Sequence, residues 1–175
     1  GATHHGCYDM SIYRSIPGAV IAAPKDEAEL RDMMYSALHA QSGPYIIRYP
    51  RGYGEGVQWK GKEFSLLESG KGEVMMEGRD IALICAGPLS YRAVEAALRF
   101  REEQGWSTSV YNIRYIKPLD CALIESICER HKTIITVEDG TVIGGLHGAV
   151  AEYVSEHHPS VKVMPAGIPD RYISQ

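Results

Sequence analysis

No apolar stretch in this sequence approaches the roughly 18 residues that a helix needs to cross a bilayer, so a helical membrane span is not expected. Basic patches are missing too. No cluster of Lys and Arg runs longer than two residues, and the formal net charge of -4 is the wrong balance for neutralising a phosphate backbone. Nucleic acid is therefore not an expected partner. Cysteine is sparse: Cys7, Cys85, Cys121 and Cys128 show no CxxC spacing, and three of them fall in apolar segments where a thiol acts as a small core residue. Reduced thiols and a cytoplasmic setting are the expectation. No set of His, Cys and carboxylate has zinc or calcium ligand spacing, so no protein-only metal site is expected, and the vicinal His157 and His158 read as solvated.

What is present is an ordinary globular composition, 45% hydrophobic and 23% charged. A chain of this length withdraws roughly 70% of its extended surface from water when it folds. From Ala19 to Pro50 the pattern is strand, helix, strand. "AVIAAP" ends at Pro24, and Asp26 with Glu29 has the spacing of a capping box, which predicts a helix start there. Leu30, Met33, Met34, Ala37 and Leu38 recur as one apolar stripe, and "SGP" stops the helix before "YIIRYP". A lone βαβ unit leaves edges and a face unpaired, which predicts further sequence upstream.

Residues 51–72 are glycine-rich with little periodicity and read as a connection between domains. Beyond them come a short strand at "EVMME", a strand at "IALICAG", a helix from about Ser90 to Gln104 stopped by Gly105, and a strand over "TSVYNIRY". A helix over about 119–130, a strand at "TIITVED", a helix over about 145–157 and a strand at "VKVMPAG" follow. Strands alternating with helices of this length specify an α/β fold with a mostly parallel sheet covered on both faces.

Three stretches could carry chemistry. In "THHG", His4 and His5 point in opposite directions if the chain is extended, so at most one faces a ligand, where an imidazole can donate to a substrate oxygen or move a proton near neutral pH. Exposed loop histidines without a role are the alternative. In "RYPRG" at 48–52, at the carboxyl end of a strand, Arg51 is a candidate anion anchor because its fork matches a phosphate or carboxylate. It can equally pair with an acid across the domain boundary, and Arg48, inside the strand, reads as structural. "EDGTVIGGLHG" at 138–148 opens a helix after a strand, a position suited to phosphate, but Ile143 breaks the dinucleotide spacing. Gly145 and Gly148 are better explained by close packing, and Met33, Met34, Met75 and Met76 by core or interface filling.

Taken in order, "THHGCYDMSIYRSIPGAVIAAPKDEAELRDMM", "GPYIIRYPRG", "IKPLD", "TVEDGTVIGGLHGAV" and "GIPD" closely resemble the C-terminal half of the 1-deoxy-D-xylulose-5-phosphate synthases, thiamine-diphosphate enzymes of the transketolase superfamily. The likeness runs over the whole chain. It implies that residues 1–54 are the end of a pyrimidine-binding domain, 55–69 a linker, and 70–175 a transketolase C-terminal-like domain of three α/β/α layers. It implies a homodimeric parent that uses thiamine diphosphate and Mg²⁺ to join pyruvate to glyceraldehyde 3-phosphate with loss of CO2, feeding isoprenoid, thiamine and pyridoxal synthesis.

The resemblance carries over His4 as a catalytic residue lying over the substrate and Arg51 as the residue holding the substrate phosphate. His5 stands where the family often has Gln. The family's acid before this loop, its diphosphate and Mg²⁺ segment and its cofactor-activating Glu have no counterpart here. No cofactor-binding or metal residue is therefore expected in this chain, which is expected to be inactive alone and to stop before the family's final helices. Two other readings stay open: the β subunit of a 2-oxo-acid dehydrogenase, and a non-catalytic α/β assembly module.

Overall fold

The computed structural model describes residues 4–40 and 43–173. A single 3-10 turn (Gly6–Tyr8) leads into α1 (Asp9–Arg14), a short helix with no counterpart in the sequence expectation. Strands β1 (Val20–Ala22) and β2 (Tyr45–Ile47) then pair in parallel around α2 (Glu27–Leu38), the expected βαβ unit. Asp26 caps α2 by accepting from the Glu29 amide at 2.8 Å. The reciprocal half of the capping box is altered: Glu29 accepts from the Lys25 amide, not from that of Asp26.

The expected stripe on α2 needs correction. Its buried positions are Glu29, Met33 and Ser36, whereas Met34 is 57% and Leu38 84% exposed. The inward stripe is offset around the helix because Glu29 is drawn into a buried ion-pair network. Leu30, Met34 and Leu38 instead line an apolar groove with Tyr35, Trp59 and Phe64. The connection that forms the far wall is not loose. Arg31 donates to the carbonyls of Trp59, Lys62 and Glu63 and lies over the Phe64 ring, so residues 59–64 are strapped along the helix.

The second half builds a five-stranded sheet in the order β3 (Glu73–Met76), β5 (Thr108–Asn112), β4 (Ile81–Cys85), β7 (Thr133–Thr141) and β8 (Lys162–Ile168). All pairings are parallel except that of edge strand β3 with β5. Helix α3 (Leu89–Gln104) ends on Gly105, whose φ of 75° closes it in the left-handed region. Alternation along β4 assigns the faces. Ala82 and Ile84 join a core with α4 (Cys121–Arg130) and α5 (Leu146–His157), while Cys85 joins Ala93 and Ala97 of α3. This is the three-layer α/β/α arrangement. Burial pushes the Cys85 thiol up to about 12 and that of Cys128 to about 11, so both act as core residues. Cys121, by contrast, is exposed at the start of α4.

The expected strand over "TSVYNIRY" is in fact two. After β5 the chain turns at Arg114, whose φ is 56°, and β6 (Tyr115–Lys117) leaves the large sheet to pair antiparallel with β1. The N-terminal βαβ edge is thereby closed by a strand from the other half. The main core accordingly runs through both halves, with Met10, Ile21 and Ala23 packed among Ile84, Ile113 and Ile134.

His131, 1% exposed, meets the Ser109 hydroxyl at 3.1 Å. Burial and the neighbouring Arg130 charge depress its pKa below the ordinary 6.5, against weaker opposite pulls that include Glu77 and Asp80. The unfolded chain therefore binds this proton first, and the stability tied to the neutral ring is whole above pH 6.5 and lost as pH falls below it. Urea unfolding between pH 7.5 and 5 should show that decline, and His131→Gln should flatten it. His147, depressed by burial as well, leaves a residual slope.

Candidate functional site

The carboxyl ends of β1 and β2 meet the start of α1 and the end of β7 at one side chain. Arg48 donates from Nε to Asp9 at 2.8 Å and from Nη1 to Asp139, with its own side chain 11% exposed. Burial alone would lower the guanidinium pKa, but Asp139 and Asp9 outweigh it and the net shift is upward. Within "RYPRG" the arginine that pairs with acids is thus Arg48. Arg51 is exposed, and no described carboxylate pairs with it.

The turn carrying Arg51 is held at both ends. Upstream stands the Arg48 knot. Downstream, Glu27 at the start of α2 accepts from the Gly56 amide at 2.9 Å, and its own, the Gly56 and the Val57 amides hold its carboxyl below the usual range. A Cβ at Gly54 would lie 1.9 Å from the Glu27 carboxylate, so a side chain there would push that acid off the Gly56 amide. Between these anchors opens a cleft of about 170 Å³ lined by Pro24, Lys25, Tyr49, Pro50, Gly52 and Pro88 among others. Arg51 sits between two of those lining residues. His4 is exposed and lies just ahead of the 3-10 turn and α1, on the segment that Asp9 ties to Arg48.

His5 is not among the residues lining the cleft. Its Nε2 lies 3.1 Å from the Ile173 carbonyl, and its ring packs beside Tyr8 and Tyr172, so it fastens the chain's two described ends together.

Beneath the cleft lies a network that sequence patterns gave no hint of. Glu29 and Glu73 share Lys25, Asn112 and Arg114. Lys25 Nζ reaches them at 3.1 and 2.6 Å, and Arg114 reaches both at 2.6 Å. Burial would raise the Glu73 pKa, but hydrogen bonds from Asn112 and Lys25 and the nearby charges bring it below the usual carboxylate value. Tyr91 of α3 adds a bond to Asp26 at 2.7 Å. Glu29 reads as a capping residue in the sequence because its extra partners lie more than eighty positions away.

The helix start at 145–148 is already filled. The buried Glu138 carboxylate accepts from the Leu146 and His147 amides, each at 2.8 Å, and burial raises its pKa despite them. A carboxylate there repels a phosphate, so this is not an anion site. Close packing accounts for Gly145, where a Cβ would meet the Glu138 carboxylate at 2.2 Å and the Thr141 carbonyl at 2.6 Å, whereas at Gly148 it would crowd only the movable Arg14 guanidinium at 2.9 Å. Of the vicinal histidines, His157 is exposed, in line with the solvated reading, while His158 is partly buried and departs from it. His158 meets Glu125, and His157 stacks on Tyr153. Among the described residues no group of three or more His, Cys, Asp or Glu is arranged to hold a metal ion, and no helix is long and apolar enough to cross a membrane.

Known proteins share this architecture. A family model described as the transketolase pyrimidine binding domain matches residues 1–55, and one described as the transketolase C-terminal domain matches residues 70–175. A 1-deoxy-D-xylulose-5-phosphate synthase of Dictyoglomus turgidum is 46% identical over 175 residues, covering 100% of this chain and 28% of that protein. The synthase of Bacteroides thetaiotaomicron is 41% identical over 173 residues, covering 99% of this chain and 27% of that protein. The chain therefore spans little more than a quarter of the length of these relatives. A solved structure described as a split gene transketolase, inactive beta4 tetramer, superposes with a TM-score of 0.86 at 30% identity, covering 97% of this chain and 55% of that one. With both family models matched in order over these two halves, the chain belongs to the transketolase family.

Proposed function

We propose that this chain is the acceptor-side part of a thiamine-diphosphate-dependent synthase that joins pyruvate to glyceraldehyde 3-phosphate, giving 1-deoxy-D-xylulose 5-phosphate and CO2. The observation that carries the reading is Arg51: an exposed guanidinium, unpaired among described residues, on a turn fixed at both ends beside a cleft. Such a group is preorganised for a phosphate dianion, which a bidentate fork holds without having to displace a competing carboxylate. The whole-length likeness to synthases of this name supports the substrate pair.

Each residue then has a task. Arg51 grips the phosphate of the acceptor and so orients its aldehyde. His4 holds the substrate oxygen on which charge develops and supplies or removes its proton. We place the sites for the cofactor's diphosphate and for Mg²⁺ outside this chain. The helix start best suited to a diphosphate is taken by Glu138, and among the described residues no group of three or more His, Cys, Asp or Glu is arranged to hold a metal ion. In the complete enzyme thiamine diphosphate supplies the electron sink for decarboxylation, held with Mg²⁺ by polypeptide outside this chain. We place that enzyme in the cytoplasm as a homodimer.

Combining this chain with the cofactor-binding part of its enzyme should yield deoxyxylulose phosphate and CO2 from pyruvate and glyceraldehyde 3-phosphate, measured by coupled assay. The chain alone should yield neither, in keeping with the inactive state named for the split transketolase tetramer. Transfer to a lipoyl group instead of the aldehyde would assign the chain to a 2-oxo-acid dehydrogenase. No turnover with either acceptor would leave an assembly module.

A further inference from the structure

Arg48 is not itself among the cleft-lining residues, yet its guanidinium joins chain segments that are 39 and 91 positions away. Its backbone amide also donates to Ala22 at 2.9 Å, fastening β2 to β1 beyond the regular ladder. Asp9 is held from the other side, since its second oxygen accepts from the Met10 amide at 2.8 Å. Met10 in turn is 1% exposed and fills the space beside Gly140, where a Cβ would come within 2.4 Å of its terminal methyl. The start of α1 and the end of β7 are thus pressed together by packing. Arg48 bridges them through two nitrogens pointing at two carboxylates. Only Tyr49 and Pro50 separate it from Arg51, and the proline ring fixes one of the intervening backbone angles.

We propose that Arg48 is a positioning residue for the reaction: by holding Asp9 and Asp139 together it sets the His4 segment and the Arg51 turn in one register against β7. This rests on the functional reading above, in which His4 and Arg51 meet the substrate. A lysine keeps the charge but cannot direct two donors in a fixed fork. The chain should still fold with lysine there, and the two segments should drift apart.

The test is steady-state deoxyxylulose phosphate formation by the complete enzyme. Arg48→Lys should lower kcat/KM for glyceraldehyde 3-phosphate by about tenfold or more, raising the acceptor KM and lowering kcat together, because displacement near 1 Å is enough for such losses. The effect should largely vanish when Arg48→Lys is added to His4→Ala/Arg51→Ala, a coupling that a merely structural loss does not produce. Asp9→Asn and Asp139→Asn each remove one arm. They should show the same pattern more weakly, and they carry the test if Arg48→Lys does not fold. Wild-type kinetics in Arg48→Lys, or full additivity in the triple variant, overturns the positioning role. If His4→Ala and Arg51→Ala themselves leave turnover intact, the functional reading fails and this proposal with it. If they impair turnover while Arg48→Lys does not, only the positioning role fails.

Discussion

Replacing Glu29 by alanine is expected to destabilise the fold by about 3–5 kcal/mol, the usual cost of removing one partner from a buried charged network. Glu29 is 5% exposed and receives the Lys25 amide, the Lys25 ammonium, the Asn112 amide and the Arg114 guanidinium. Its removal leaves several of those donors in a space too enclosed for water to repair fully. Glu73 still compensates part of the positive charge, which keeps the loss within that range. Denaturant unfolding at neutral pH should show a lower midpoint and an unchanged slope, because the core is continuous through both halves. A loss below about 1 kcal/mol would mean that the network is an ornament of the fold. The same network has an acid limit. The Glu73 pKa is depressed, so its contribution is complete above the ordinary carboxylate value of 4.5 and is lost as pH falls through the lower folded value.

The second large effect concerns activity. In the complete enzyme, Arg51→Ala should reduce kcat/KM for glyceraldehyde 3-phosphate by about two orders of magnitude, the worth of a charge-assisted bidentate contact of about 3 kcal/mol. Most of the loss should appear in the acceptor KM. Arg51→Lys should fall in between, because an ammonium keeps the charge and loses the fork. Unphosphorylated glyceraldehyde is the decisive control. It offers no dianion, so wild type and Arg51→Ala should turn it over alike. A variant equally impaired with both aldehydes would show that Arg51 supports the turn and does not grip phosphate.

Much of this architecture was legible because it is written in short-range chemistry. The capping aspartate, the glycine closing α3 and the alternation of apolar strands with amphipathic helices each act within a few residues, and each lies where the spacing puts it. Arg51 was legible as a candidate from its place at the end of a strand. Most of the failures are long-range. The buried stripe on α2 is offset because Glu29 is satisfied by residues from the other half. "TSVYNIRY" reads as one strand because nothing local marks Arg114 as a corner, which only its φ of 56° in the fold reveals. Helix α1, only six residues long, is too short for a periodic signal, and it is held by the packing of Met10 and by Arg48.

The route of β6 gives the molecule an interlaced character. A strand translated after residue 114 completes a sheet begun before residue 23, so the first fifty-odd residues cannot reach their final state until the polypeptide has doubled back. Severing the glycine-rich connection would cut the thread without undoing the weave. Exchanging the N-terminal portion for that of a distant relative would mean matching a borrowed edge to a foreign strand, and recombination in this lineage should respect that seam more than the apparent linker.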